Sequence, residues 1–522
     1  MGLVRALVVW LAVADGAATV VVAAGAGVEG GLVDELLEPP QDATAAAATH
    51  PTKGLRARLI VWSFAKMGVS EYGRSQLSTL ALEDEVQRIG VNLAEAFPSS
   101  ARHPLRALDS RAMELASRDD ELRAALFRFV DVVPACRSLE DVARHLRGFL
   151  EELPEAPPPI AAAMRIADVR AARSALGAAA AAGVKHMAHR FIVGESPAAA
   201  NRVLQGLWEH GVASSVDLLG EATVTEAEAD QYAARCADAL EELSRPATRW
   251  PSRPQLEADS TGPLPRANVS VKISALTPLL RPDAPRLGQR DAAGRLRPLL
   301  RRAMELDAHV HIDMESLDSR EAVLELVLEL LSGPAFASGP STGIVLQAYL
   351  RDSPDQLATI LDWARSSGRT PPITVRLVKG AYWDHELVEA RQHGWPAPVF
   401  EVKADCDRNF EQLTRTLLDA RPLVRVAVAS HNLRSVSHAI AYNRLTGGND
   451  RDLELQVLRG LGDELQDALA SRGYRVRTYC PVGDLVAGMA YLVRRLLENT
   501  SNESFLHEQA SGTALEELLA AP

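Results

Sequence analysis

Cysteine is scarce. The 522 residues contain four, Cys136, Cys236, Cys406 and Cys480, far apart and with no C-x-x-C pair. That excludes a zinc ribbon, argues against a disulfide scaffold and suits a reducing compartment. An excess of positive charge is also lacking. Fifty-six lysines and arginines stand against 68 aspartates and glutamates, a formal net charge of −12, so electrostatics oppose non-specific binding to nucleic acid. The apolar run over 6–14 breaks at Asp15, short of the ~20 residues a membrane-spanning helix needs. Glycine and proline, 34 and 30 residues, stay near average and exclude a mainly disordered or collagen-like chain. What is present is an ordinary globular balance, 47% hydrophobic and 24% charged. At ~150 residues per domain, the length predicts two or three structural units.

The first residues admit two sharper readings. Arg5 before the apolar run and Ala12-Val13-Ala14 after it have the shape of a signal peptide. Gly25-x-Gly27-x-x-Gly30 after Thr19-Val20-Val21-Val22 has the shape of a dinucleotide fingerprint. The context of the second fails, because Pro39-Pro40 and an alanine tract follow instead of a second strand and an acidic residue. A poorly ordered, low-complexity Ala/Gly leader is the better account of 1–56. From there to about residue 175, apolar residues recur at three and four positions, as in Leu122, Leu126, Phe127, Phe129 and Val130, so this region is expected to be all helical.

Beyond about residue 176, short β-branched or apolar runs alternate with amphipathic helices. Eight runs are expected as strands: 186–193, 212–218, 269–273, 310–314, 344–349, 373–378, 424–428 and 474–479. Each gap leaves room for a crossover helix, and the count of eight favours a closed parallel barrel over an open doubly wound sheet. Active residues then belong at strand ends, where the loops build the site. The third run ends in Lys272 and the fourth in Asp313 and Glu315, while the fifth contains Gln347 and Tyr349. Arg376 lies in the sixth run, which leads into Lys379-Gly380-Ala381-Tyr382-Trp383-Asp384; Ser430-His431-Asn432 and Tyr479-Cys480-Pro481 follow the last two. Charged side chains inside apolar strands are expensive to bury unless paired or bound. One of them could be a structural ion pair, whereas six strand ends point to a shared site.

Two further patterns need weighing. In Tyr491-Leu-Val-Arg494-Arg495-Leu-Leu-Glu498 the polar residues share one helical face. Two guanidinium groups beside a tyrosine suit a carboxylate or phosphate; taken alone, a solvated face with an ordinary Arg494–Glu498 pair is the commoner arrangement. His309-x-His311-x-Asp313-x-Glu315 places four side chains on one face of a strand, and H-x-H on a barrel strand can bind a hydrolytic metal. Such hydrolases want further histidines at later strand ends, where His431 alone qualifies, so no metal site is expected and the histidines are read as filling the barrel interior.

Together these motifs resemble the proline dehydrogenase domain of the bifunctional proline-utilisation flavoproteins. The resemblance is carried by Ser270-Val-Lys272-Ile-Ser-Ala, Ile312-Asp313-Met-Glu315-Ser, Gln347-Ala-Tyr349, Arg376-Leu-Val-Lys379-Gly-Ala-Tyr382-Trp383-Asp384 and Ser430-His431-Asn432, then by Tyr479-x-Pro481-Val-Gly483 and Tyr491-Leu-Val-Arg494-Arg495-Leu-Leu-Glu498-Asn499. It covers about residues 180–506 and, more loosely, the helical region upstream. It implies an α/β fold, a distorted (β/α)8 barrel over 176–510, preceded by a helical region over 57–175 and followed by a tail, 511–522. It implies FAD held without a glycine-rich motif, oxidation of L-proline to Δ1-pyrroline-5-carboxylate, and electrons passed to a membrane quinone.

By position, the resemblance assigns Arg376, Lys379, Gly380, Gln347, Trp383, Ser430, His431, Asn432 and Glu498 to FAD. It assigns Lys272, Arg494 and Arg495 to the proline carboxylate, and Asp313, Ala381, Tyr382, Leu458, Tyr479 and Tyr491 to the pocket. Asp217 and Glu221 match a gate whose glutamate pairs with the first arginine, and the Tyr479 ring is expected to crowd C4 and disfavour hydroxyproline. The chain departs from the family pattern at Glu401 and Cys406, on the adenosine side of FAD, while Gln456-x-Leu458-x-Gly460 survives. The expected location is cytoplasmic, with peripheral contact at the inner face of the membrane. Sixteen residues follow Leu506, so the expectation is that product passes to a separate pyrroline-5-carboxylate dehydrogenase. The alternatives are a fragment of a longer protein or a silent homologue acting as an assembly partner. No ribbon-helix-helix pattern marks the N-terminus, so no nucleic-acid partner is expected.

Overall fold

The computed structural model describes residues 79–97, 120–153, 170–220, 222–484, 488 and 513–522. The N-terminal leader and the expected site residues Glu221, Tyr491, Arg494, Arg495 and Glu498 lie outside them. Eight parallel strands form a closed barrel: β1 (Val212–Leu218), β2 (Asn268–Lys272), β3 (His309–Asp313), β4 (Ser341–Gln347), β5 (Thr374–Val378), β6 (Arg425–Ala429), β7 (Leu453–Leu458) and β8 (Arg475–Val482). Each strand pairs with its neighbours in sequence, and β8 closes the ring on β1 through a register running from Val212↔Val476 to Leu218↔Val482.

Side-chain alternation explains why these segments are strands. Val310 and Ile312 of β3 face outward into the apolar layer under the helices, whereas His309, His311 and Asp313 face the barrel interior. The same alternation puts Glu454, Gln456 and Leu458 of β7, and Arg475, Arg477 and Tyr479 of β8, inside. This barrel therefore has an apolar outside and a polar inside. Crossover helices carry ordinary start signals: Thr225 and Glu228 form a reciprocal capping box at Glu226–Ala247, and the Asn432 side chain accepts from Ser435 N at the start of Leu433–Leu445.

The expected barrel is present, with one strand misplaced in the sequence reading. The run 186–193 is the end of a 22-residue helix, Arg170–Phe191, followed by two residues outside any helix or strand. Its eight residues are too few for periodicity to separate a strand from a helix end, and the alanine-rich stretch before them decides in favour of helix. The strand that completes the eight is β7, which the sequence reading missed.

The helical segments Asp120–Val132, Leu139–Glu151 and Arg170–Phe191 share a second core of Leu122, Phe129, Val142, Leu146 and Phe191. That core extends to Leu219 and Leu461, and Leu458 and Tyr479 pack against it, so the helical unit sits on the C-terminal mouth of the barrel. Thr79–Glu95 packs instead on the barrel helices, where Arg434 binds Glu83 and the Leu519 carbonyl. No helix among the described residues is long and apolar enough to cross a membrane.

Candidate active site

At the C-terminal end of the strands lies a cavity of about 370 Å³, within the ~300–1,000 Å³ usual for small-molecule sites. Five strands deliver one polar side chain each to its floor: Asp217 from β1, Lys272 from β2, Asp313 from β3, Arg376 from β5 and Tyr479 from β8. Arg376 Nη1 donates to Asp313 Oδ1 at 2.8 Å, and the Tyr479 hydroxyl donates to Asp313 Oδ2 at 2.7 Å. The guanidinium also lies over the Tyr479 ring, 5.4 Å from its centroid. Lys272 Nζ donates to Asp217 Oδ1 and stands 3.8 Å from Asp313. Asp217 thus belongs to β1 and holds a lysine.

The electrostatics follow from burial and pairing. Burial disfavours the Lys272 ammonium, but Asp217 and Asp313 hold it above the ordinary lysine range, so it stays charged. Burial, reinforced by the same two carboxylates, raises Tyr479 well above the usual phenol range, so it keeps its proton and donates. Burial also raises Glu315, which lines the cavity and takes a hydrogen bond from Ser274 Oγ. Two cations and two carboxylates therefore meet on the floor, and each charge has an opposite partner.

The wall is built from β4, β5 and β6. Gln347 Nε2 donates to the Glu315 carbonyl at 2.9 Å, leaving Oε1 buried without a hydrogen-bond partner; Arg376 Nε is likewise buried and unpartnered. Gly380 has φ +137°, and a Cβ there would meet the Tyr349 ring at 2.1 Å, so the chain turning past Lys379, Ala381 and Tyr382 requires glycine. Lys379 Nζ binds Asp407. Ser430 and His431 line the cavity, and Leu458 N donates to His431 Nε2 at 2.8 Å, which fixes that nitrogen as an acceptor.

Of the expected site residues, the structure brings thirteen to this one cavity: Asp217, Lys272, Asp313, Gln347, Arg376, Lys379, Gly380, Ala381, Tyr382, Ser430, His431, Leu458 and Tyr479. Trp383 and Asn432 lie outside its lining. The Trp383 indole donates to the Phe400 carbonyl at 2.8 Å, and Asn432 caps a helix. Glu401 ion-pairs with Arg351 and Arg391 on the surface, and Cys406 packs beside Tyr349, Leu350, Leu387 and Val399. Glu315 and Gln456 also line the cavity; Glu315 was visible at the end of a strand run but had received no role, and Gln456 lies in the strand that the sequence reading missed. His309 and His311, the alternative metal pair, stack 5.4 Å apart inside the barrel among the guanidinium groups of Arg477 and Arg376, which oppose a divalent cation there.

Known proteins match this arrangement. The family model described as Proline dehydrogenase matches residues 200–508, and that of the Proline utilization A N-terminal domain matches residues 83–191. The bifunctional protein PutA of Klebsiella aerogenes is 32% identical over 346 residues, 64% of this chain and 25% of that protein. Proline dehydrogenase of Deinococcus radiodurans is 29% identical over 322 residues, 62% of this chain and 89% of that one. Among solved structures, proline utilization A from Bdellovibrio bacteriovorus inactivated by N-propargylglycine matches with a TM-score of 0.77 at 36% identity, covering 84% of this chain and 44% of that one. The chain spans about a quarter of the length of the bifunctional relatives it matches. With the first model covering more than half of its residues, the chain belongs to the proline dehydrogenase family.

Proposed function

We propose that this chain catalyses the FAD-dependent oxidation of L-proline to Δ1-pyrroline-5-carboxylate, with a membrane quinone as the final electron acceptor and a separate dehydrogenase consuming the product. The observation that carries this reading is the convergence of Lys272, Asp313, Arg376, Tyr479, Gln347, Lys379 and His431 on one cavity from six of the eight strands. Two residues of the cavity lining support the cofactor as well. Arg376 Nε is a free donor and Gln347 Oε1 a free acceptor, both buried on its lining, and a flavin ring edge offers the complementary pair.

Bound there, FAD supplies the acceptor for the hydride that leaves C5 of proline. The chain's own residues bind and orient. Arg376, Gln347, Lys379, Gly380, Ser430 and His431 would hold the cofactor, with Trp383, Asn432 and Glu498 as further contacts. Lys272 would take the proline carboxylate. Its charge is already matched by Asp217, and Arg376 by Asp313, so a bound carboxylate needs further cations. Arg494 and Arg495 are the residues proposed to supply them, gated by Glu221. Asp313 fixes both Arg376 and the Tyr479 hydroxyl, and Tyr479 in turn would crowd C4 of the substrate ring. Ala381, Tyr382, Leu458 and Tyr491 would shape the pocket and exclude water, holding proline at near-attack distance. The amine's own electron pair assists hydride departure, so no protein base is assigned.

Anaerobic titration tests the reading. Purified protein should show a flavin spectrum that L-proline bleaches in the absence of oxygen. A protein that cannot take up FAD, or whose flavin stays oxidised with proline, would overturn it.

A further inference from the structure

The opposite end of the barrel interior holds a second, much smaller cavity of about 20 Å³, closed below by Leu264 and Pro265. Asn268, His309, His311, Ser341, Arg425, Glu454 and the arginines Arg475 and Arg477 surround it. The short ribbon formed by Ala258–Asp259 and Gly262–Pro263 contributes Asp259 from beneath, which takes Arg425 Nε at 3.0 Å and Arg475 Nη1 at 3.2 Å. Glu454 takes Arg477 Nε and Nη2 at 2.9 and 3.1 Å and Gln456 Nε2 at 2.6 Å.

Among the described residues this cluster has three guanidinium groups and two carboxylates. Both carboxylates are engaged, and Glu454 is held far below the usual carboxylate range by Arg477 and Arg475 against the effect of burial. The histidines add no negative charge. An arginine does not readily shed its proton to relieve the surplus, and an unmatched buried charge is costly. The unused hydrogen-bonding capacity points the same way. Arg425 Nη1 and Arg475 Nε are buried without a hydrogen-bond partner, on side chains each 2% exposed. His311 Nε2 is a third unpartnered atom, and it carries a proton whenever His309 Nε2 donates across their 3.2 Å contact. A water accepts at most two hydrogen bonds through its lone pairs, whereas an anion accepts from every donor around it. The volume admits one small occupant and excludes a tetrahedral oxyanion.

We propose that Arg425, Arg475 and His311 bind a single buried halide-sized anion, chloride in ordinary salt, which neutralises the floor of the barrel. The site is separate from the catalytic mouth, and its occupancy is a property of the folded state. Binding to the native state alone raises stability with ligand concentration, by equal increments for each tenfold rise above the dissociation constant.

The test uses the full chain and bromide. Crystals grown in sodium bromide should give one anomalous peak in contact with Arg425 and Arg475. The unfolding temperature should climb with sodium chloride or bromide beyond its value in sodium gluconate of equal ionic strength, and Arg425→Gln should weaken that halide dependence at least tenfold. A cavity with water density and no anomalous signal overturns the proposal, as does an identical response to gluconate. Should Arg425→Gln fail to fold, the bromide map and the salt comparison on the unaltered chain still decide.

Discussion

Asp313 shows how much of the site rests on single side chains. Its two oxygens serve Arg376 and Tyr479, and Lys272 lies within ion-pair distance of the second. Removing one partner from such a buried pair costs about 3–5 kcal/mol because the other charge is left unmatched, which makes Asp313 a poor place to separate binding from folding. Lys272 serves fewer partners and its stem can be kept, although its loss leaves the buried Asp217 unmatched and so costs stability too. Lys272→Met should raise the KM for proline roughly 10- to 100-fold, the value of one charge-assisted hydrogen bond, with flavin content preserved; equal loss of both would give the lysine a structural role. The strand-end residues were legible because a charge within an apolar strand run is expensive without a partner, and most of them do meet in one cavity. Trp383 lies outside the lining of that cavity. It shares a motif with Lys379, Gly380 and Ala381, but the chain enters the helix Trp383–His393 at that residue and the indole turns to Phe400. Adjacency in sequence carries no information about direction once a strand exits into a helix.

Elements were legible where polarity and length agreed and illegible where they conflicted. β7 reads Leu453-Glu-Leu-Gln-Val-Leu458, a clean alternation, but its polar residues face a buried interior and resemble those of an exposed edge. The long gap between the runs at 424 and 474 was the available signal, being wide enough for another β/α unit. The misread run at 186–193 matters for function. Phe191 ends the helix Arg170–Phe191, is 2% exposed, and occupies the space a Cβ on Gly460 would need. It belongs to the same apolar cluster that Leu458 and Tyr479 pack against, so the helical unit supports one wall of the cavity. Phe191→Ala should destabilise the protein by about 3–5 kcal/mol and also raise the KM for proline, because Leu458 and Tyr479 lose their backing. Urea unfolding and steady-state kinetics on the same preparation check both; a stability loss with unchanged KM would confine the helical unit to a scaffold role.

At the scale of the whole molecule, buried histidines, two inside the barrel and one on a crossover helix, make stability depend on pH. His309, His311 and His438 are 6%, 1% and 0% exposed. Burial, aided by nearby arginines, pushes His438 down to about 3 and the other two well below the ordinary histidine range. Glu411 lies 3.6 Å from His438 but is already bound by Arg434, and the cost of burial prevails over that contact. All three are neutral in the fold and take up protons on unfolding once the pH falls below ~6.5. The unfolded state then binds more protons, so stability rises with pH. Their contribution is complete above ~6.5 and is lost as the pH falls towards the folded values, at up to about 4 kcal/mol per pH unit for three protons. Glu315 and Glu386, raised by burial, act with the opposite sign and moderate the fall. Urea unfolding at pH 7.5, 6.0 and 5.5 should therefore show a steep loss of stability. His438→Gln should remove one proton from that slope, about 1.4 kcal/mol per pH unit, while leaving the active-site cavity untouched. A flat profile, or an unchanged slope in the variant, would mean that these histidines stay titratable in the native protein and that water reaches them well enough to solvate their charged forms.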